Sequence, residues 1–293
     1  MAHQIFALYS GYVGVDEVLY PKRSVFCCDT PADAGITYRD VELITQDNLK
    51  LAAWYLLPAD ELQPTIIMAH GASGNRINLW NIAAALQAKG FGILLLEMRA
   101  HGASEGAIFT RGWLDIRAAA EYLTAEGVNA IGAYGFSLGA NMVIQAAAQS
   151  NQIDAVVADG ASPVVLSDMP LPVTLAGWLY LGYDVMYWTQ LEARSAPVGG
   201  FAAMPMREAV SRLAGRPLLL IAAGAESSGF ERSVAQNLYE AAAEPKVLWV
   251  IEDVYHGGGF DADPVGFIER IAAFFAPLRG APSSFVPDWS AVG

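Results

Sequence analysis

The strongest chemical signal in the chain is Gly135-Phe136-Ser137-Leu138-Gly139, a G-x-S-x-G pattern. The apolar run Asn129–Tyr134 before it reads as a strand, and the Ala- and Met-rich Leu138–Ser150 after it reads as a helix. A serine on such a sharp strand-to-helix turn sits in a strained backbone, and glycine two positions to either side removes side chains that would collide. The free N–H groups and positive dipole end of the helix lie close by. A serine hydroxyl is a weak nucleophile at neutral pH and needs a general base. The chain has four histidines. His3 is near the start, and His70 and His101 lie in loops after the third and fourth expected strands. His256 follows the last one, in Asp253-Val254-Tyr255-His256-Gly257-Gly258-Gly259. That loop leaves the same carboxyl edge of the sheet as Ser137, the edge where open α/β sheets bind ligands. His256 is therefore the expected base.

A third group must orient the imidazole and stabilise its charged form. The loop after the seventh expected strand reads Gly224-Ala225-Glu226, which makes Glu226 the expected acid. Glu231, five residues on, and Asp159, at the end of the sixth strand, stay open as alternatives. Negative charge developing on a substrate oxygen needs preorganised donors. The backbone N–H of Leu138, directly after the serine, is one candidate. The N–H of Ala72 is the other, in the loop His70-Gly71-Ala72-Ser73-Gly74 after the third strand.

Positioning these loops requires a regular frame. Val41–Thr45 and Leu49–Leu57 read as a hairpin around Gln46-Asp47-Asn48. Short, nearly unbroken apolar runs follow: Thr65–Ala69, Gly92–Glu97, Asn129–Tyr134, Asp154–Ala158, Pro217–Ala223 and Lys246–Ile251. Parallel strands covered on both faces have this appearance. Helical stretches alternate with them: Leu79–Lys89 (ending at Gly90), Arg111–Ala125, Leu138–Ser150, Ser233–Ala243 and Pro264–Phe275. The expected fold is one α/β domain spanning residues 1–293, an eight-stranded, mostly parallel, doubly wound sheet with its first two strands antiparallel.

Residues 161–212 break the rhythm and are expected to form a lid, since an insertion of this length in a compact domain is usually functional. Its aromatics Trp178, Tyr183 and Trp188 are expected to give an apolar wall for substrate. The longest uncharged stretch in this part of the chain runs from Met169 to Tyr183, between Asp168 and Asp184. It contains Pro170 and Pro172 and is shorter than the ~20 residues of a membrane span.

Composition narrows the classes. Of 293 residues 54% are apolar and 16% charged, which excludes a disordered chain. With 17 Lys+Arg against 30 Asp+Glu the net charge is −13, a field that repels nucleic acid and anionic lipid. The adjacent Cys27 and Cys28 give no disulfide framework and fit a reducing compartment. No targeting segment is expected, and the location is read as cytoplasmic. There is no H-E-x-x-H, no spaced Cys/His quartet, no G-x-G-x-x-G and no G-x-x-x-x-G-K, so no metal or cofactor is expected.

The chain resembles the α/β-hydrolase superfamily, in its serine esterase, lipase and serine aminopeptidase-like group. The resemblance covers about Tyr38 to Leu278. It rests on His70-Gly71, Glu97-Met98-Arg99-Ala100-His101-Gly102-Ala103-Ser104, the Gly135–Gly139 motif and His256-Gly257-Gly258. The second segment is similar to the family's D-x-R-G-H-G-x-S turn, with Glu97 for Asp and Ala100 for Gly. In relatives that turn is structural, so Arg99 and His101 are given no catalytic role. The acid position departs most: relatives often read G-x-x-D, and Glu226 arrives one residue early. The resemblance implies a cofactor-free serine hydrolase cleaving small apolar carboxylic esters. A peptidase, amidase or lipase of the same fold is the nearest alternative, and a non-catalytic binder a more distant one. No nucleic-acid partner and no stable membrane insertion are expected, and a homodimer is left open.

Overall fold

The computed structural model describes residues 13–24, 29–172, 174–213 and 215–279. His3, Cys27 and Cys28 lie outside them. A helix over residues 13–19 (α1) precedes the sheet. The eight strands are β1 (Tyr38–Ile44), β2 (Lys50–Leu56), β3 (Thr65–Ala69), β4 (Gly92–Leu96), β5 (Ile131–Phe136), β6 (Ala155–Asp159), β7 (Leu218–Ala223) and β8 (Lys246–Ile251). Their spatial order is β1-β2-β4-β3-β5-β6-β7-β8. Only the pairs made by β2, with β1 and with β4, are antiparallel; every other pair is parallel.

Burial explains the two kinds of strand. Each residue of β3, β4, β6 and β7 is buried, as continuous apolar runs with helices on both faces require. β1 lies at the sheet edge and is largely exposed. On one face sit α3 (Trp113–Ala125), α4 (Leu138–Ala147) and α7 (Phe230–Ala241), whose Ile116, Val143 and Leu238 join one core. On the other sit α2 (Trp80–Ala88) and α9 (Pro264–Phe275), with Ile82, Phe267, Phe274 and Phe275 in a second core. α2 stops where Gly90 takes φ 98°, the left-handed position that glycine adopts without a steric penalty.

The segment expected as a lid divides into two parts. Between β6 and β7 run α5 (Leu175–Ser195) and the short α6 (Met206–Ser211). α6 belongs to the body: Met206, Ala209 and Val210 are buried in the first core. α5 lies over the carboxyl edge of the sheet, and Arg194 near its end pairs with Asp16 of α1 at 2.5 Å. A short helix α8 (Gly259–Ala262) links the last loop to α9. The one boundary that changes the chemistry is α7, which begins at Phe230 and not at Ser233.

Candidate active site

Ser137 stands alone between β5 and α4 with φ 53° and ψ −114°, a left-handed backbone that L residues seldom adopt. The two motif glycines make this turn possible. A Cβ on Gly135 would come 2.3 Å from the carbonyl oxygen of Gly139, and a Cβ on Gly139 would come 2.1 Å from that of Ala69. Both obstacles are backbone, so neither can move aside. The N–H of Ser137 donates to the carbonyl of Asp159 at 2.7 Å, tying the turn to the end of β6.

His256 reaches the turn from the loop after β8. Its ring lies against Phe136, the residue before the serine, with centroids 5.1 Å apart and planes inclined by 33°. The loop bends through Gly257 at φ 78°, where a Cβ would meet the Phe136 ring at 2.7 Å. A Cβ on Gly160 would press on His256 Cε1 at 2.5 Å. The chain after β6 thus confines the imidazole from the other side.

The carboxylate at the ring is Glu231. Its Oε2 is 2.7 Å from His256 Nδ1, and its Oε1 accepts the N–H of Ala223, at the end of β7, also at 2.7 Å. Glu231 is buried and lies in the first turn of α7, where the helix dipole favours an anion. The hydrogen bond to Glu231 raises the His256 pKa above the ordinary imidazole value, burial opposes the rise, and the charges of Glu231, Asp159 and Glu226 add to it.

Glu226, the acid expected from the sequence, is corrected by this geometry. Its Oε2 accepts the N–H of Glu231 at 3.4 Å, so it steadies the helix start without holding the ring. Glu226 lines the cleft of Ser137 and His256, and it is the next glutamate, in the first turn of α7, that reaches the ring. Asp159 does not hold the ring either. It is buried, accepts the Tyr134 hydroxyl at 2.8 Å, and has its pKa pushed up to about 6, chiefly by burial.

Both candidate oxyanion donors border the serine. Leu138 opens α4, so its N–H has no acceptor within the helix. Ala72 occupies a turn closed by the Gly74 N–H on the Gly71 carbonyl at 3.2 Å. A Cβ on Gly71 would lie 3.4 Å from Ser137 Cβ, which shows how closely this turn approaches that serine.

The other charged and imidazole groups of the resemblance hold loops together. His70 is buried, donates from Nδ1 to the Gly71 carbonyl and accepts the Met98 N–H at Nε2; burial drives its pKa down to about 3. Arg99 is buried between Asp115 and Asp47, with N–O distances of 2.7 Å to each. Glu97 accepts the Ala103 N–H at 2.8 Å, where a side chain on Gly102 would strike its carboxylate.

Ser137, Glu231 and His256 open on one cleft of roughly 390 Å³, walled by Tyr183, Asp184, Tyr187 and Trp188 of α5 and by Phe230. An outer cavity of roughly 380 Å³ shares Tyr183, Asp184, Glu226 and Phe230 with it. Burial and the nearby Glu226 charge push the Asp184 pKa up to about 6. Of the three aromatics expected to face substrate, Tyr183 and Trp188 line the cleft. Trp178 lines neither cavity and is 55% exposed on the outer side of α5. Tyr187 and Phe230 were missed from the sequence. Both follow from α5 and α7 facing the same gap. Among the described residues no group of three or more His, Cys, Asp and Glu side chains is placed to hold a metal ion. No described helix is long and apolar enough to cross a membrane.

Comparisons with known proteins agree with the fold. Residues 64–198 match the family model described as the alpha/beta hydrolase fold. The uncharacterized protein Rv2307c of Mycobacterium tuberculosis is 26% identical over 223 residues, covering 74% of this chain and 72% of that protein. YfhR of Escherichia coli O157:H7 is 25% identical over 260 residues, 85% and 82% of the two chains. Among solved structures, the Pyrococcus furiosus esterase Pf2001 superposes with a TM-score of 0.69 at 26% identity, over 89% of this chain and 97% of that one. A dienelactone hydrolase from Anabaena variabilis shares the fold at 17% identity and a TM-score of 0.56, over 82% and 97% of the two chains.

Proposed function

We propose that this chain, which matches the alpha/beta hydrolase fold over residues 64–198 and superposes on the esterase Pf2001, is a serine hydrolase that cleaves carboxylic esters through an acyl-enzyme. The observation that carries the reading is the hydrogen bond of His256 Nδ1 to Glu231 Oε2, in the same cleft as a serine held at φ 53°. An ionised carboxylate only accepts hydrogen bonds, so Nδ1 carries the proton and Nε2 keeps a free lone pair. Nε2 then takes the Ser137 proton as the hydroxyl oxygen attacks the carbonyl carbon. The N–H groups of Leu138 and Ala72 receive the charge on the substrate oxygen. One such donor is worth about 10²–10³ in turnover. The imidazolium returns its proton to the departing alcohol. Water then attacks the acyl-enzyme with His256 again as base.

The aromatic side of the cleft, from Tyr183, Tyr187 and Trp188, supports an apolar acyl or alcohol group, and α5 is read as the roof over it. The esterase named for the Pyrococcus furiosus structure supports an ester in place of a peptide. Hydrolysis of nitrophenyl esters of increasing acyl length tests the reading. The parent chain is expected to turn them over and Ser137→Ala to fall to background. Equal rates in both would refute the assignment.

A further inference from the structure

The outer face of α5 carries an apolar surface that the chemistry above does not use. Leu175, Trp178, Leu179 and Gly182 recur at helical spacing on one side of the helix. Leu175 and Leu179 are 79% and 78% exposed, and Leu171, just before the helix, is 78% exposed. The inward side is different in kind: Gly177, Leu181, Asp184 and Trp188 line the two cavities, and Leu191 is in the core. Large aliphatic side chains clustered in water mark a surface that meets something else.

Charge says what meets it. No Asp, Glu, Lys or Arg stands between Asp168 and Asp184, in a chain whose net charge is −13. An anionic lipid surface would be repelled by that charge, and a second copy would bring the same −13 to the contact. A surface of zero net charge fits both the uncharged face and the acidic remainder. Position says what the contact would serve. Leu171 lines the outer cavity, and so does Tyr255, 72% exposed on the His256 loop. Tyr183, Asp184, Glu226 and Phe230 line both that cavity and the cleft of Ser137 and His256, so the two adjoin. The apolar face, the cavity mouth and the candidate catalytic cleft therefore lie side by side.

We propose that the outer face of α5, with Leu171 and Tyr255 at the cavity mouth, docks the protein peripherally on a net-neutral lipid–water surface, of the phosphatidylcholine kind. Exposed leucine and tryptophan on the outer side of a surface helix suit such a boundary position. An apolar ester would then pass from the surface into the outer cavity without crossing water. The docking stands on the surface itself, and only this delivery step rests on the serine-hydrolase reading.

Flotation with phosphatidylcholine vesicles tests it, using the chain with Ser137→Ala so that no turnover occurs. The Ser137→Ala chain is expected to float with the vesicles. Adding Leu175→Ser and Leu179→Ser should lower the bound fraction about tenfold, since two exposed apolar anchors are lost. Mixing in phosphatidylserine should lower it as well. With Ser137 restored, the double leucine variant should hydrolyse soluble nitrophenyl acetate at the parent rate, which shows that it folds. Absence of flotation, flotation indifferent to the two serines, or stronger flotation on anionic vesicles would overturn the proposal. A concentration-dependent dimer dissolved by the two serines would also overturn it, because a second copy would then cover the face. Docking without any Ser137-dependent hydrolysis would reject the catalytic reading and leave the docking intact.

Discussion

Glu231 gives one carboxylate oxygen to His256 Nδ1 and the other to the Ala223 N–H, each at 2.7 Å. Held at both oxygens, the carboxylate fixes the tautomer and the plane of the ring. Glu231→Gln keeps the shape and removes the charge that stabilises an imidazolium. Turnover on a soluble ester is expected to fall by about 10⁴, the loss found when other triads lose their acid. Glu226→Gln should change it no more than a few-fold. Steady-state kinetics of the two variants check this, and a deeper loss in Glu226→Gln would reverse the assignment.

The acid limb of the pH profile follows from the same contact. His256 titrates above the ordinary imidazole value because the Glu231 hydrogen bond favours its protonated form. In the proposed mechanism the working base is the unprotonated ring, so kcat/KM should rise as pH increases through that elevated value and level off above it. Glu231→Gln removes the largest upward cause. Its limb should move to lower pH while the plateau drops. Profiles with an activated ester between about pH 5 and 9 measure this. A limb unmoved by the substitution would contradict the coupling.

Asp159 links protonation to stability with a definite sign. Its pKa is about 6 in the fold, against 3.8 for the free side chain, chiefly through burial. The folded state therefore binds this proton more tightly than the unfolded one. The associated stability is fully present below the unfolded value and is lost as pH rises toward the folded one. Asp159→Asn, which can still accept the Tyr134 hydroxyl, removes that loss. Its melting temperature relative to the parent should improve from about pH 4 to 7, within a ceiling of about 3 kcal/mol. A pH-independent difference would refute the buried-carboxyl account.

Gly160→Ala is expected to injure catalysis more than folding. The new Cβ would meet the His256 ring at 2.5 Å, and φ of 68° adds strain of about 1 kcal/mol. The ring can yield by leaving its position, which should cost about 10² in kcat for a displacement near 1 Å. Kinetics alongside thermal melting separate the two effects. Parent-like turnover with a large drop in melting temperature would show that the ring is not confined there.

Arg99 gives the opposite pattern. Arg99→Met leaves the fully buried Asp115 without its cation, and breaking a buried pair costs about 3–5 kcal/mol. The melting temperature should fall steeply. Turnover per titrated active site, measured well below that temperature, should stay near the parent value. Lost turnover with unchanged melting would give Arg99 a chemical role that the resemblance denies it.

The sheet and the meeting of Ser137 and His256 in one cleft were legible because their signals are local. Continuous apolar runs mark strands buried on both faces, and the Gly135–Gly139 motif specifies its own turn. The carboxylate that meets the His256 ring was legible only as a station, the segment after β7. Reading α7 from Ser233 left Glu231 in a loop, whereas a helix beginning at Phe230 places it in the first turn. Helical side chains lean toward the N-terminus, which aims Glu231 back at the sheet edge. Trp178 failed for a related reason. It lies five residues from Tyr183, about 140° around the helix, and aromatic content alone does not tell which side of α5 faces the cleft.

The central claim is that Ser137 is the nucleophile, activated through His256. Intact-mass analysis after a fluorophosphonate probe, followed by peptide mapping, tests it most directly. A single adduct is expected on the peptide containing Ser137, absent in Ser137→Ala and formed far more slowly in His256→Ala. No adduct on the parent chain, or an adduct on another residue that persists in Ser137→Ala, would contradict the account.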